Sequence, residues 1–148
     1  MKFTEGYWLR SERANPLYAS QAFIVEEIPN GLRVIAPGRV IHSRDGALDV
    51  GTITTEFTSA DENVIAVRSY HFAAYEKKEP VFEKHLNPQA VSVPIGEDEA
   101  VMTAGKVTVR IDRKTWKYQF EANGKILTSC GFRNLGYMQY DRKIATRF

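Results

Sequence analysis

Strict alternation of apolar and polar residues marks the second half of the chain. Val107, Val109 and Ile111 alternate with Thr108, Arg110 and Asp112, and Trp116, Tyr118 and Phe120 alternate with Lys117, Gln119 and Glu121. In a pleated strand that spacing sends each apolar set to one face. The pattern predicts two strands, with Arg113 and Lys114 as the tight link between them. Asn123-Gly124 supplies the positive φ that a two-residue hairpin turn demands, and a third apolar segment follows from Lys125 to Leu127. The expected product is an antiparallel meander whose core face carries Val107, Val109, Ile111, Trp116, Tyr118 and Phe120. Fully burying each large apolar side chain is worth roughly 1.5–3 kcal/mol, so that face requires a cover built from upstream strands.

The first half of the chain supplies candidates for that cover. Gln21–Glu27 and Leu32–Ala36 read as strands joined at Asn30-Gly31. In LDVGTITTEF, Ile53, Thr55 and Phe57 point one way, and Thr52, Thr54 and Glu56 the other. VIAVRSYHF is the most apolar run, which predicts a central strand covered on both faces at its start. Val91–Pro94 reads as an edge strand and Tyr137–Tyr140 as one last short strand. Tyr75–His85 is charge-rich and broken by Pro80, hence a solvated crossover. Met1–Tyr18 mixes aromatic residues with charges and has no period, so it reads as an extended arm. About nine or ten strands, with turn signals between them and no helical period lasting three turns, predict an all-β fold of two packed antiparallel sheets.

Composition changes this picture little. The 148 residues are 43% hydrophobic and 26% charged, which suits one globular domain, residues 1–148. Formal net charge is +2. The bases Lys125, Arg133, Arg142, Lys143 and Arg147 outnumber the acid Asp141 near the end of the sequence, but they are scattered and no nucleic-acid motif accompanies them. Nucleic acid is therefore not an expected partner. Nor is a membrane, because no window approaches the ~20 apolar residues of a spanning helix. Glu5, Arg10, Glu12 and Arg13 interrupt any secretory leader, and the expected location is cytoplasmic.

Candidate chemistry is sparse. His42, His71 and His85 lack the close pairing of zinc ligands, and His71, ending an apolar run, reads as a partly buried strand residue. Phosphate-cradling glycine loops and nucleophile elbows are absent. Cys130 has no neighbouring motif that would make it a nucleophile. The acids lie in turns (Asp45, Asp61, Glu97, Asp98) or alternate outward on strands (Glu56, Asp112, Glu121), where water keeps them ordinary carboxylates. The sequence thus predicts no catalytic residue, no metal and no cofactor. Trp8 and Tyr75 are the candidates for a sugar-stacking surface, an exposed ring being able to lie on a pyranose, although burial is the more frequent fate of a large aromatic.

The opening GYWL, the block LDVGTITTEFTSADENVIAVRSYHF, and TAGKVTVRIDRKTWKYQFEANGKILTS followed by GYMQYD resemble the start of a glycoside hydrolase family 31 enzyme, most closely the bacterial alpha-xylosidases. The resemblance implies a galactose mutarotase-like β-sandwich placed before a catalytic (β/α)8 barrel of the same parent chain. That barrel carries an aspartate nucleophile and an aspartate acid and retains configuration. No acid of this sequence matches either aspartate, so the chain alone is expected to be inactive and to meet carbohydrate only through its parent. The family's sandwich extends past the matched region. On that reading the chain is truncated, and bare sheet edges are available for pairing between copies. The competing reading is a stand-alone carbohydrate-binding module, which needs an exposed row drawn from Trp8, Tyr75 or Trp116.

Overall fold

The computed structural model describes residues 14–71, 86–140 and 143–147. These residues form twelve strands in the order β1 (Ala14–Tyr18), β2 (Ile24–Ile28), β3 (Gly31–Pro37), β4 (Thr52–Asp61), β5 (Val64–Tyr70), β6 (Val91–Ser92), β7 (Glu99–Ala104), β8 (Val107–Asp112), β9 (Lys117–Ala122), β10 (Lys125–Cys130), β11 (Gly136–Tyr140) and β12 (Lys143–Arg147). Among the described residues the one helical piece is a 3-10 turn at Arg44–Ala47. Among those residues no helix is long and apolar enough to cross a membrane.

Among the described residues all strand pairs are antiparallel and fall into three sheets. The first has the order β2-β3-β4-β5, the second β10-β9-β8-β7-β6, and the third β1-β11-β12. Alternation along β4 turns Ile53, Thr55, Phe57 and Ser59 inward, all buried. On the second sheet Ala100, Met102, Val109 and Ile111 face them, again buried. The Phe57 ring stands edge-on to Tyr118 at 5.4 Å and tilts against Phe120 at 6.4 Å. These ring contacts join the first two sheets into a β-sandwich, at separations where aromatic pairs add to plain area burial.

Several local expectations are corrected. The turn between β2 and β3 is Pro29-Asn30, because Ile28 pairs with Gly31. Asn30 takes the positive φ of 58°, and Gly31 is the first residue of β3. A Cβ on Gly31 would fall on the Phe57 carbonyl oxygen, so glycine is required there by the close approach of β4 and not by the turn. VIAVRSYHF is not a central strand: among the described residues β5 pairs with β4 alone, and Val64 and Val67 are exposed. Its apolar content reflects β-propensity on a half-covered surface. Residues 72–85, which include the expected crossover at Tyr75–His85, lie outside the described residues.

The link between β8 and β9 is four residues long, not two, and Trp116 is its last residue. Asp112 builds it: one carboxyl oxygen accepts from the amides of Lys114 (2.8 Å) and Thr115 (3.1 Å), and the other from the Thr115 hydroxyl (2.7 Å). The backbone then passes through φ 52° at Trp116. From that left-handed position the indole still reaches the interior and is 1% exposed. It meets Tyr118 at 5.7 Å. Val107, Tyr118 and Phe120 are partly buried.

The third sheet was not anticipated as a sheet. Pro16 sits within β1, tolerable because β1 is an edge strand, and β1 pairs with β11 from Ala14 opposite Tyr140 to Tyr18 opposite Gly136.

Candidate functional site

The polar outer face of the first sheet is a row set by strand register: Glu26 lies opposite Arg33, Arg33 opposite Glu56, and Glu56 opposite Arg68. Arg33 donates to Glu56 at 3.1 Å and to Glu26 at 3.0 Å, and the Tyr70 hydroxyl donates to Glu56 at 3.0 Å. Burial, followed by the bond to Glu56, raises the Tyr70 pKa. The second sheet carries a similar row, in which Arg110 donates to Glu121 at 3.1 Å and to Glu99 at 3.0 Å. Gln119 and then Arg110 hold the Glu121 carboxyl below its ordinary value. Burial pushes the Asp112 carboxyl up, but the Thr115 hydroxyl and the amides of Lys114 and Thr115 outweigh it and leave it lowered.

Both of these carboxyls move downward. A glycosidase acid must be raised instead, so that it still holds its proton when the leaving oxygen needs it. These carboxylates are acceptors in structural bonds and are unsuited to proton donation. Among the described residues no cluster of three His, Cys, Asp or Glu side chains could hold a metal ion. His71 donates from Nδ1 to the Thr52 carbonyl at 3.0 Å, and its ring lies 3.7 Å from that of Tyr137. Its role is to tie the first sheet to the third.

Phe132, 81% exposed, follows β10 and separates two depressions. One, of about 520 Å3, is lined by Arg110, Tyr118, Gln119, Ser129, Cys130 and Phe132. Burial, and then the neighbouring Cys130 thiol, raise the Tyr118 hydroxyl pKa, which therefore stays protonated. The other, of about 700 Å3, lies against Tyr18, Val40, Lys114, Lys117, Phe132 and Arg133. The Arg133 guanidinium stands 5.3 Å from the Tyr18 ring centre and 4.7 Å from that of Phe132, within cation–π range. Ile126 and Leu127, each 61% exposed, extend the apolar strip along β10. No period of the sequence points to Phe132, which stands between Gly131 and Arg133.

The sequence-derived candidates divide accordingly. Trp8 and Tyr75 lie outside the described residues. Trp116 is buried and offers no face to a sugar.

Comparison with known proteins gives a relative and a fold. No protein-family profile matches the chain. Over 129 residues it is 31% identical to alpha-xylosidase XylQ of Lactiplantibacillus pentosus, an alignment that covers 86% of this chain and 17% of that protein. The chain thus spans less than a fifth of that relative, and its resemblance to glycoside hydrolase family 31 rests on that alignment. Among solved structures, an uncharacterized protein of Listeria monocytogenes, crystallised in complex with alpha-D-glucose, beta-D-glucose, magnesium and calcium, superposes with a TM-score of 0.63. That match covers 88% of this chain and 11% of the other at 13% identity, a level that carries the fold alone.

Proposed function

We propose that this chain is the non-catalytic N-terminal β-sandwich domain of a larger alpha-xylosidase or alpha-glucosidase. In this reading it supports a (β/α)8 barrel of the same parent chain and shapes the entrance through which the glycoside reaches the barrel's catalytic pair. One observation carries the proposal: the similarity to XylQ runs through most of this chain but through only 17% of the enzyme. The site chemistry agrees with it. Glycoside hydrolysis needs two carboxyl groups flanking the scissile bond, one of them raised in pKa, whereas Asp112 and Glu121 are lowered. A stand-alone carbohydrate module is less well supported, because the aromatic row it needs loses Trp116 to the core.

The test is hydrolysis of aryl alpha-xyloside and aryl alpha-glucoside. The purified 148-residue chain is expected to show no turnover above a buffer blank, while the complete protein that contains it cleaves at least one substrate. Turnover by the chain alone, abolished by replacing one of its own acids, would overturn the assignment.

A further inference from the structure

Segments from all three sheets line the larger depression, whose volume of about 700 Å3 lies within the range of small-molecule sites. β1 and the loop after it supply Tyr18 and Ser20, the β8–β9 turn and the start of β9 supply Lys114, Thr115 and Lys117, and the segment after β10 supplies Phe132 and Arg133. The lining holds three cations and no acid. Lys114 is engaged with Asp98 at 2.6 Å. Among the described residues no carboxylate pairs with Lys117 or Arg133. Arg133 also stands apart in its backbone. Of the five described non-glycine residues with positive φ, three are asparagines, which tolerate that region, and Trp116 is fixed by the Asp112 turn and buried. Arg133, at φ 58°, has an exposed side chain and gains no burial in return. Strain of this kind persists where the surroundings impose it, and it gathers at binding sites.

We infer that this depression binds a monosaccharide carrying a carboxylate or phosphate group, with Arg133 as the principal donor to the anion. Arg133 stands over the Tyr18 and Phe132 rings at 5.3 and 4.7 Å, contacts that hold a guanidinium without using its hydrogen-bond donors. Its N–H groups donate to no described residue. They are free to fork onto an oxyanion, the geometry in which arginine binds carboxylate and phosphate most strongly, and Lys117 adds a second unpaired charge. The Ser20 hydroxyl already donates to the Tyr18 carbonyl (3.0 Å), and the Thr115 hydroxyl to Asp112 (2.7 Å). Both keep acceptor lone pairs, which suit the hydroxyl groups of a sugar. Phe132 leaves 81% of its surface exposed even with Arg133 beside it, and so offers a ring to the C–H face of a pyranose. An acidic sugar combines an anion, hydroxyl donors and an apolar face. A free inorganic anion lacks the last two, and a neutral sugar lacks the first. This inference does not rest on the proposed enzymatic context.

Two-dimensional NMR of the isotope-labelled 148-residue chain tests it with D-glucuronate, glucose 6-phosphate, glucose and inorganic phosphate. A ligand of about 13–16 non-hydrogen atoms, at the efficiency of drug-sized molecules, has a Kd of about 0.3–1 mM. At least one acidic sugar is expected to shift the amides of Ser20, Lys117 and Arg133 saturably in that range, and the tighter of the two identifies the anionic group. Glucose and inorganic phosphate should each bind at least about tenfold more weakly. Arg133→Gly should raise Kd at least about tenfold without lowering the melting temperature, since glycine adopts the left-handed backbone freely. Phe132→Ala spares the cations and should raise Kd about threefold. Lys125→Gln, at the other end of β10, should leave binding unchanged. The inference is overturned if neither acidic sugar gives a saturable shift, or if glucose or inorganic phosphate binds as tightly as they do. A Kd unmoved by either Arg133→Gly or Phe132→Ala would also overturn it, as would a melting temperature lowered by Arg133→Gly, which would mark Arg133 as a residue kept for folding.

Discussion

Phe57 and Phe132 carry the same side chain and have opposite fates. Phe57 lies midway along β4, with strands on both sides and the second sheet across from it, and is fully buried. Phe132 follows an edge strand, has Arg133 over its ring, and leaves 81% of its surface in water. Intrinsic hydrophobicity cannot account for the difference. Position in the sheet order does, since a central strand is covered before its side chains are chosen, whereas an edge strand is covered only if something else arrives. The β4–β9 interior therefore holds the fold together, while the β10–Phe132 strip contributes little to folding and leaves its apolar surface in water.

The sharpest way to break this contrast is truncation. Phe57→Ala or Trp116→Ala should each cost about 3–5 kcal/mol through lost transfer energy and a cavity, against no more than about 0.5 kcal/mol for Phe132→Ala. Urea denaturation of the three variants measures all of these. A costly Phe132→Ala would move that residue into the core and erase the distinction. Gly31→Ala comes next: it adds a single carbon where the Phe57 carbonyl of β4 already occupies the space, and overpacking of that kind costs about 1–3 kcal/mol. The same change at Gly131, in open space, should be tolerated, and thermal melting curves of the pair would show the gap.

Smaller effects sharpen the comparison at the β8–β9 turn. Asp112→Ala should cost about 0.5–1 kcal/mol, the value of a capping carboxylate discounted for its exposure. Its pH signature has a definite sign. The folded-state pKa lies below the ordinary 3.8, so the stabilisation is complete above that value and disappears as pH falls through the lower folded value. Melting temperatures of the parent and the variant should therefore converge in acid, and a difference that persists at the lowest accessible pH would contradict the turn's bonding. Least of all, Glu56→Gln should change stability by about 1 kcal/mol or less, diminishing with added salt as expected for a surface ion-pair row. Titration with sodium chloride would reveal that dependence.

The alternation in β4, β8 and β9 could be read because each of those strands has one covered face, which is the condition under which a period of two is written into a sequence. Asn123-Gly124 was equally plain, both residues adopting positive φ, 51° and 72°. Trp116 was not. It continues the apolar alternation of β9, but the three bonds to Asp112 hold its residue in a turn, and no periodic pattern reports a carboxylate that organises the backbone. β5 misled because valine and isoleucine record fitness for a strand and not its place in the sheet order. The third sheet was hidden for another reason: Pro16 suppresses a strand reading that only its distant partner β11 restores. Trp8 and Tyr75 were singled out from aromatic identity alone and lie outside the described residues. Phe132 had no signature of its own, because the uncharged run from Ile126 becomes meaningful only once β10 is known to be an edge.

The pairing of β1 with β11 bears on how the molecule comes into being. Ala14 is made early and Tyr140 late, so on the ribosome the first strand must wait, unpaired, while the sandwich between them is synthesised. The β8–β9–β10 meander, whose partners are near neighbours in sequence, can form as soon as it emerges. Closing the longest loop carries the largest entropic cost and correlates with slow folding. The third sheet should therefore be the last to gain protection in a refolding experiment followed by hydrogen exchange, and the contact of His71 with Tyr137 would mark the moment at which it docks.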